Sequence, residues 1–230
     1  MSDEYMMHPV EETRATIFDS MIDLSIDISE IYLDMLLDDG MVKDIPALGT
    51  IYKVGKTVYS VGQLAFIKKT LAFAQEIQRN SIETGILEKH KHLLVSNPKK
   101  YYKELELIIE YLNRQVGCEK AVLNARVYYM YLSEQIDYED FVLLLETIDR
   151  VYLTDLNTLI QIYKYEVLEH GASCSRIACS RLAGCALVEY YNGMIVKREG
   201  DDRNSIVRIT MLGNVFCEAV LRETKENENE

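Results

Sequence analysis

Two neighbouring stretches near the C-terminus decide the fold: Arg181–Tyr191, RLAGCALVEYY, and Ser205–Leu221, SIVRITMLGNVFCEAVL. The first stretch contains the last residues of a predicted helix, which ends at Gly184. The residues after Gly184 form an extended apolar run. The second begins with the alternation of a strand, and Thr210 is a favourable N-cap for a closing helix. The dipeptide Asn192–Gly193 between the two stretches is typical of a tight turn. Together they predict helix, strand, turn-rich loop, strand and helix.

This order resembles the C-terminal part of winged helix-turn-helix proteins. RLAGCALVE, the loop after it and RITMLGNVFCEAVL are similar to their recognition helix, wing and Leu-Thr-x-x-Gly ending, over about residues 154–222. The resemblance implies a DNA-binding regulator, although this segment has eight basic and eight acidic residues and so no net attraction for phosphate. The candidate DNA contacts are Arg176, Arg181, Lys197, Arg198 and Arg203.

Upstream of that module, residues 1–153 have the pattern of a helical domain. The whole chain has only 3 prolines and 11 glycines in 230 residues, which favours long helices over many turns. Helices are predicted from about residue 98, with a cap at Ser96–Asn97, and over 118–132, 138–151 and 155–169. The predicted fold class is therefore mainly α, a helical bundle or array with a small C-terminal α+β winged-helix-like module. Residues 223–230 are predicted to be a disordered acidic tail.

The N-terminal third divides its charge between two successive segments. Residues 1–42 carry eleven acidic side chains against Arg14 alone, whereas residues 43–103 carry eleven lysines and arginines against four acidic residues. A helix predicted from about residue 9 to 38 has one apolar stripe and one acidic stripe. The acidic stripe is either a solvated face or a surface that docks on a cationic partner or on the basic segment that follows. It consists of Asp19, Asp23, Asp27, Glu30, Asp34 and Asp38.

The basic segment includes residues 45–73, which combine large apolar side chains with four lysines. This composition fits an amphipathic helix at an anionic membrane surface, and it also fits a core helix with a basic rim. The possible contacts with a membrane or an anionic partner are Lys53, Lys56, Lys68 and Lys69. No run of about 18 uncharged apolar residues occurs, so no segment is predicted to span a bilayer.

The sequence offers no recognisable catalytic, metal or cofactor motif. Gly49–Thr57, GTIYKVGKT, is close to a phosphate-binding loop, but five residues instead of four separate its glycines. The five cysteines lack the paired spacing of a structural zinc site, and they are interpreted as free thiols in a reducing cytosol. The acidic N-terminus lacks the features of a secretory signal. The sequence therefore predicts a cytoplasmic, non-enzymatic protein.

Three longer stretches carry a second resemblance. DIPALGTIYKVGKTVYSVGQLAFIKKTLAFAQEI, IDYEDFVLLLETIDRVYLTDLNTLI and the winged end are similar to a family of uncharacterised helical bacterial proteins that often accompany prophages or mobile elements. That resemblance implies a phage- or defence-linked role and supplies no catalytic residues. The first hypothesis is action through protein–protein interaction, with a protein partner or a second copy of the chain. The second is DNA-binding regulation, and the third is peripheral membrane association through residues 45–73.

Overall fold

The computed structural model describes residues 61–81, 85, 89, 92, 96–165, 167–169, 175–191 and 206–222. In these ranges the protein is mainly helical, with a small antiparallel sheet near the C-terminus. The chain divides after Asp137 into two compact units. The acidic stripe predicted over residues 19–38 and the tail predicted over 223–230 lie outside the described residues.

The N-terminal unit contains three described helices: α1 (Val61–Ser81), α2 (Pro98–Arg114) and α3 (Cys118–Leu132). α1 packs along α3 and also contacts α2. The predicted cap of α2 is confirmed, since the Asn97 side chain accepts a hydrogen bond of 3.2 Å from the backbone N–H of Lys100. Buried apolar side chains from the three helices form the core of this unit. They include Phe73, Ile77, Leu105, Leu112, Val127 and Tyr128.

Lys69 lies inside this core, although the sequence placed it among the candidate contacts for an anionic surface. Its side chain is only 6% exposed, and its ammonium group donates to the backbone carbonyls of Asn113 and Gln115, at 3.2 and 2.7 Å. Burial lowers the pKa of Lys69 below its ordinary value. These carbonyls lie at the C-terminal end of α2, where a helix carries a partial negative charge. Lys69 therefore stabilises the end of a neighbouring helix.

The C-terminal unit alternates helices with short strands. Its elements are α4 (Tyr138–Arg150), a short 3-10 helix (Leu153–Asp155), α5 (Leu156–Tyr165), β1 (Val167–Glu169), α6 (Arg176–Gly184), β2 (Val188–Tyr191), β3 (Ile206–Ile209) and α7 (Met211–Val220). The three strands form an antiparallel sheet in the order β1-β3-β2. α5 packs against this sheet and also contacts α6 and α7.

Strand β1 corrects the sequence-based prediction of one helix over residues 155–169. α5 ends at Tyr165, and Val167–Glu169 pairs with β3 in the register Val167–Arg208, Leu168–Val207 and Glu169–Ile206. Helical periodicity across the break could not reveal this, because the ladder depends on a strand about forty residues further along the chain. The compact C-terminal unit also begins one helix before the predicted boundary after residue 153.

The junction between α6, β2 and α7 is held by Thr210. Its hydroxyl accepts a 2.9 Å hydrogen bond from the N–H of Gly213, so the predicted N-cap of α7 is confirmed. The same hydroxyl lies 2.7 Å from the carbonyl oxygen of Ala186, to which it donates, and the Thr210 N–H donates to the Leu187 carbonyl at 3.1 Å. Ala186 has a left-handed backbone with φ of 59° and ends the turn after α6. One side chain therefore starts α7 and fixes the turn that leads into β2.

A buried carboxyl group joins α2 to α3 in the N-terminal unit. Glu104 is 1% exposed, and its Oε1 accepts a 2.7 Å hydrogen bond from the hydroxyl of Tyr131 and lies 3.7 Å from Lys100 Nζ. Its Oε2 has no hydrogen-bond partner among the described residues. Burial is the main cause that raises the pKa of Glu104 above its ordinary value of 4.5.

Glu104→Gln is therefore expected to stabilise the protein at neutral and alkaline pH. The folded protein holds the Glu104 proton more tightly than the unfolded chain, so this stabilising contribution is fully present below pH 4.5 and is lost as pH rises through the folded-state pKa. Glutamine stays uncharged and removes that loss. Urea unfolding midpoints at about pH 4 and about pH 8 measure the effect.

The matched control is Glu110→Gln, because Glu110 is an exposed carboxylate on the same helix that pairs with Arg114. We expect it to change the free energy of unfolding by less than about 0.5 kcal/mol. An equal response of the two variants at about pH 8 would contradict the role assigned to Glu104.

Candidate functional site

Helix α6 presents one exposed face from the C-terminal unit. Its N-terminus is capped by the Ser175 hydroxyl, which accepts a 3.4 Å hydrogen bond from the N–H of Ala178. Ala178, Cys179 and Leu182 bury the opposite side of the helix. The helix sequence, RIACSRLAG, contains two arginines and no carboxylate. The exposed face consists of Arg176, Ile177, Ser180, the half-exposed Arg181 and Gly184.

Arg181 is anchored to the preceding helical segment by a buried carboxylate. Its guanidinium binds both oxygens of Asp155, through Nε at 2.7 Å and through one terminal nitrogen. Asp155 is 2% exposed, and the Arg181 side chain keeps 37% of its surface. The guanidinium also stacks over the Tyr152 ring at 4.8 Å. Since its charge is balanced by Asp155, Arg181 contributes a fixed donor group and little net charge to the α6 face.

Arg176 is the other predicted contact on this helix, and it begins α6 with an exposed side chain. Ile177 beside it is 66% exposed. On the far side of the face, the Ser180 hydroxyl lies 3.1 Å from the Tyr190 hydroxyl of β2. The α6 face therefore combines a cationic group, an apolar group and hydroxyls.

The neighbouring sheet offers little further positive charge. Arg208 of β3 donates a 2.6 Å hydrogen bond from Nε to Glu189 of β2, its cross-strand neighbour, so these charges balance each other. The predicted wing contacts Lys197, Arg198 and Arg203 lie outside the described residues. The structure thus brings together Arg176 and Arg181 of the predicted set.

The predicted membrane-facing set is not assembled as an exposed face in the described residues. Lys69 is buried, as shown above, and Lys68 is half-buried on α1. Lys53 and Lys56 lie outside the described residues. Among the helices of the described ranges, none has the length and hydropathy needed to cross a membrane.

The cysteines differ in part from the prediction of free thiols. Cys179, on the buried side of α6, is disulfide-bonded, whereas Cys118, Cys185 and Cys217 form no disulfide. Burial raises the pKa of Cys217 to about 12, which makes that thiol a poor nucleophile. No group of three or more potential metal ligands occurs in the described part of the chain.

Two features of this site were missed from the sequence. The sequence predicts Asp155 only as the first residue of a helix over 155–169, and nothing local indicates that it is buried against a residue 26 positions later. Tyr190 was assigned to a strand but not to the α6 face, which requires the contact between α6 and β2. A search against protein families, curated proteins and solved structures finds no match to this chain.

Proposed function

We propose that the protein is a non-enzymatic DNA-binding protein whose C-terminal unit contacts DNA through the α6 face. The observation that carries the proposal is the exposed face of α6, which has arginine and hydroxyl donors and no carboxylate. Phosphate oxygens and the edges of guanine accept hydrogen bonds from such groups. An exposed aliphatic side chain such as Ile177 is also compatible with the methyl group of thymine.

The order of the elements supports the same proposal. α5, β1, α6, β2 and β3 follow each other as in a winged helix, with the sheet order β1-β3-β2. Strand β1, which the sequence-based prediction lacked, adds to this likeness. The chain departs from a full helix-turn-helix because only five residues, 170–174, separate β1 from the cap of α6. Ser175 itself is that cap.

A protein partner at the same face is the second candidate function, and the exposure of Ile177 favours it. Ile177 is 66% exposed and can act as an apolar anchor in a partner's pocket. Binding through an apolar anchor depends only weakly on salt, whereas DNA binding falls steeply as salt rises.

Arg176→Ala is expected to weaken DNA binding by the full chain without unfolding it. Fluorescence anisotropy with a mixed-sequence duplex, measured over a series of salt concentrations, gives the affinity and its salt dependence. Removing one phosphate contact should lower the slope of log affinity against log salt by about one. The Arg176 side chain is exposed, so the thermal unfolding curve should not move.

Arg150→Ala is the control, because Arg150 is an exposed arginine on α4 that pairs with Glu146. It should leave both affinity and slope unchanged. The absence of any binding at low salt contradicts the DNA proposal and leaves the protein partner. Equal effects of Arg176→Ala and Arg150→Ala would show that the α6 face is not the contact surface.

A further inference from the structure

Helix α4 has an open groove along its own exposed surface, separate from the α6 face, and all the residues that line it belong to α4. The groove has a volume of about 340 Å³ and is lined by Tyr138, Glu139, Val142, Leu143 and Glu146. Leu143 is 44% exposed, although the opposite side of α4 is closely packed. That buried side consists of Phe141, Leu144, Leu145, Thr147 and Ile148. The helix therefore has a second apolar strip that nothing in the described ranges fills.

The rim of this groove is acidic. α4 has the sequence YEDFVLLLETIDR, with four carboxylates and a single arginine. Glu139 and Glu146 both line the groove, and they are seven residues or about two helical turns apart, roughly 10.5 Å along the axis. Arg150 lies 3.3 Å from Glu146 and offsets part of its charge. A second copy of α4 would bring the same excess of carboxylates to this surface, so pairing of like helices is electrostatically unfavourable.

We propose that the α4 groove binds a cationic amphipathic helix of a partner protein. The apolar side of such a helix would cover Val142 and Leu143. Two lysines or arginines spaced seven residues apart on the same helix would pair with Glu139 and Glu146. The charge of the partner helix decides binding. An acidic amphipathic helix would cover Val142 and Leu143 equally well, but Glu139 and Glu146 would repel it. The proposal does not depend on DNA binding by α6, because the two surfaces share no residue.

Isothermal titration calorimetry of the full chain with a synthetic amphipathic peptide of leucine and lysine, about 18 residues long, tests the proposal. Binding in the micromolar range is expected, and the corresponding peptide of leucine and glutamate should not bind. Leu143→Asp removes apolar contact from the floor of the groove and should weaken binding about tenfold or more. Glu139→Gln combined with Glu146→Gln should weaken it at low salt and remove most of its salt dependence.

Leu221→Asp is the matched control, since Leu221 is a comparably exposed leucine, at 37%, beyond the end of α7. It adds the same negative charge as Leu143→Asp, so it accounts for general attraction between a cationic peptide and an acidic protein. The proposal is supported if Leu221→Asp binds like the wild type while Leu143→Asp does not. Equal binding by both variants overturns it, as does the absence of wild-type binding at about 100 µM peptide.

Discussion

Gly213→Ala is expected to destabilise the C-terminal unit by about 3 kcal/mol. A Cβ built at position 213 overlaps the backbone carbonyl oxygen of Leu187 and lies 2.7 Å from Cγ1 of Ile209. The overlapped atom belongs to the backbone and accepts the Thr210 N–H, so it cannot move aside without breaking that bond. Hydrogen–deuterium exchange of the β2 and β3 amides, together with urea unfolding, measures the loss in this unit.

Gly184→Ala provides the control within the same unit. Gly184 is the last residue of α6, and nothing lies within 4 Å of a Cβ built there. Alanine has the higher helix propensity, so this variant should be neutral or stabilised by up to about 1 kcal/mol. If Gly184→Ala and Gly213→Ala lower the free energy of unfolding by similar amounts, the contact between a Cβ at position 213 and the Leu187 carbonyl is not the reason for glycine there.

Arg126→Ala is expected to cost the N-terminal unit about 2–3 kcal/mol, because it leaves a buried carboxylate without its principal cation. Arg126 Nε lies 2.6 Å from Glu76 Oε1, and the side chains of Arg126 and Glu76 are 19% and 3% exposed. Arg79 lies 4.0 Å from Glu76 Oε2 and offsets part of the loss. Thermal and urea unfolding of the full chain give the change, and hydrogen exchange in α1 and α3 localises it.

Two further variants separate the ion pair from other causes. Arg150→Ala breaks an exposed pair at 3.3 Å, with side chains that are 67% and 45% exposed, and should change stability by less than about 0.5 kcal/mol. Glu76→Gln in the Arg126→Ala background removes the carboxylate charge that Arg126 no longer balances and should recover part of the stability. If Arg126→Ala lowers the free energy of unfolding no more than Arg150→Ala does, the burial of Glu76 does not make its ion pair with Arg126 stabilising.

Local sequence rules predicted the helix and strand positions where the signal is contained within a few residues. Asn97 before Pro98 marked the start of α2, and Thr210 three residues before Gly213 marked the start of α7. The alternation in SIVRIT identified β3. Strand β1 could not be predicted in this way, because it is three residues long and is defined by pairing with β3.

The candidate site was less predictable for the same reason. Arg176 and Arg181 were selected because they lie on the predicted helix, and their charge was the only available criterion. The structure distinguishes them, since Arg181 binds the buried Asp155 whereas Arg176 is exposed at the start of α6. Lys69 shows the opposite case: a lysine typical of a surface is enclosed because two helix-end carbonyls are its hydrogen-bond acceptors. Partners that are distant in sequence decide the role of each charge.

The hydroxyl of Thr210 has a mechanical consequence for the C-terminal unit. It is bonded at once to the first turn of α7 and to the turn that follows α6, through Gly213 and Ala186. A displacement of the start of α7 would therefore strain the hydrogen bond to the turn that follows α6 as well as the cap of α7 itself. The start of α7 and the turn before β2 are thus held together by the hydroxyl and the backbone N–H of one residue, beside the pairing of β2 with β3.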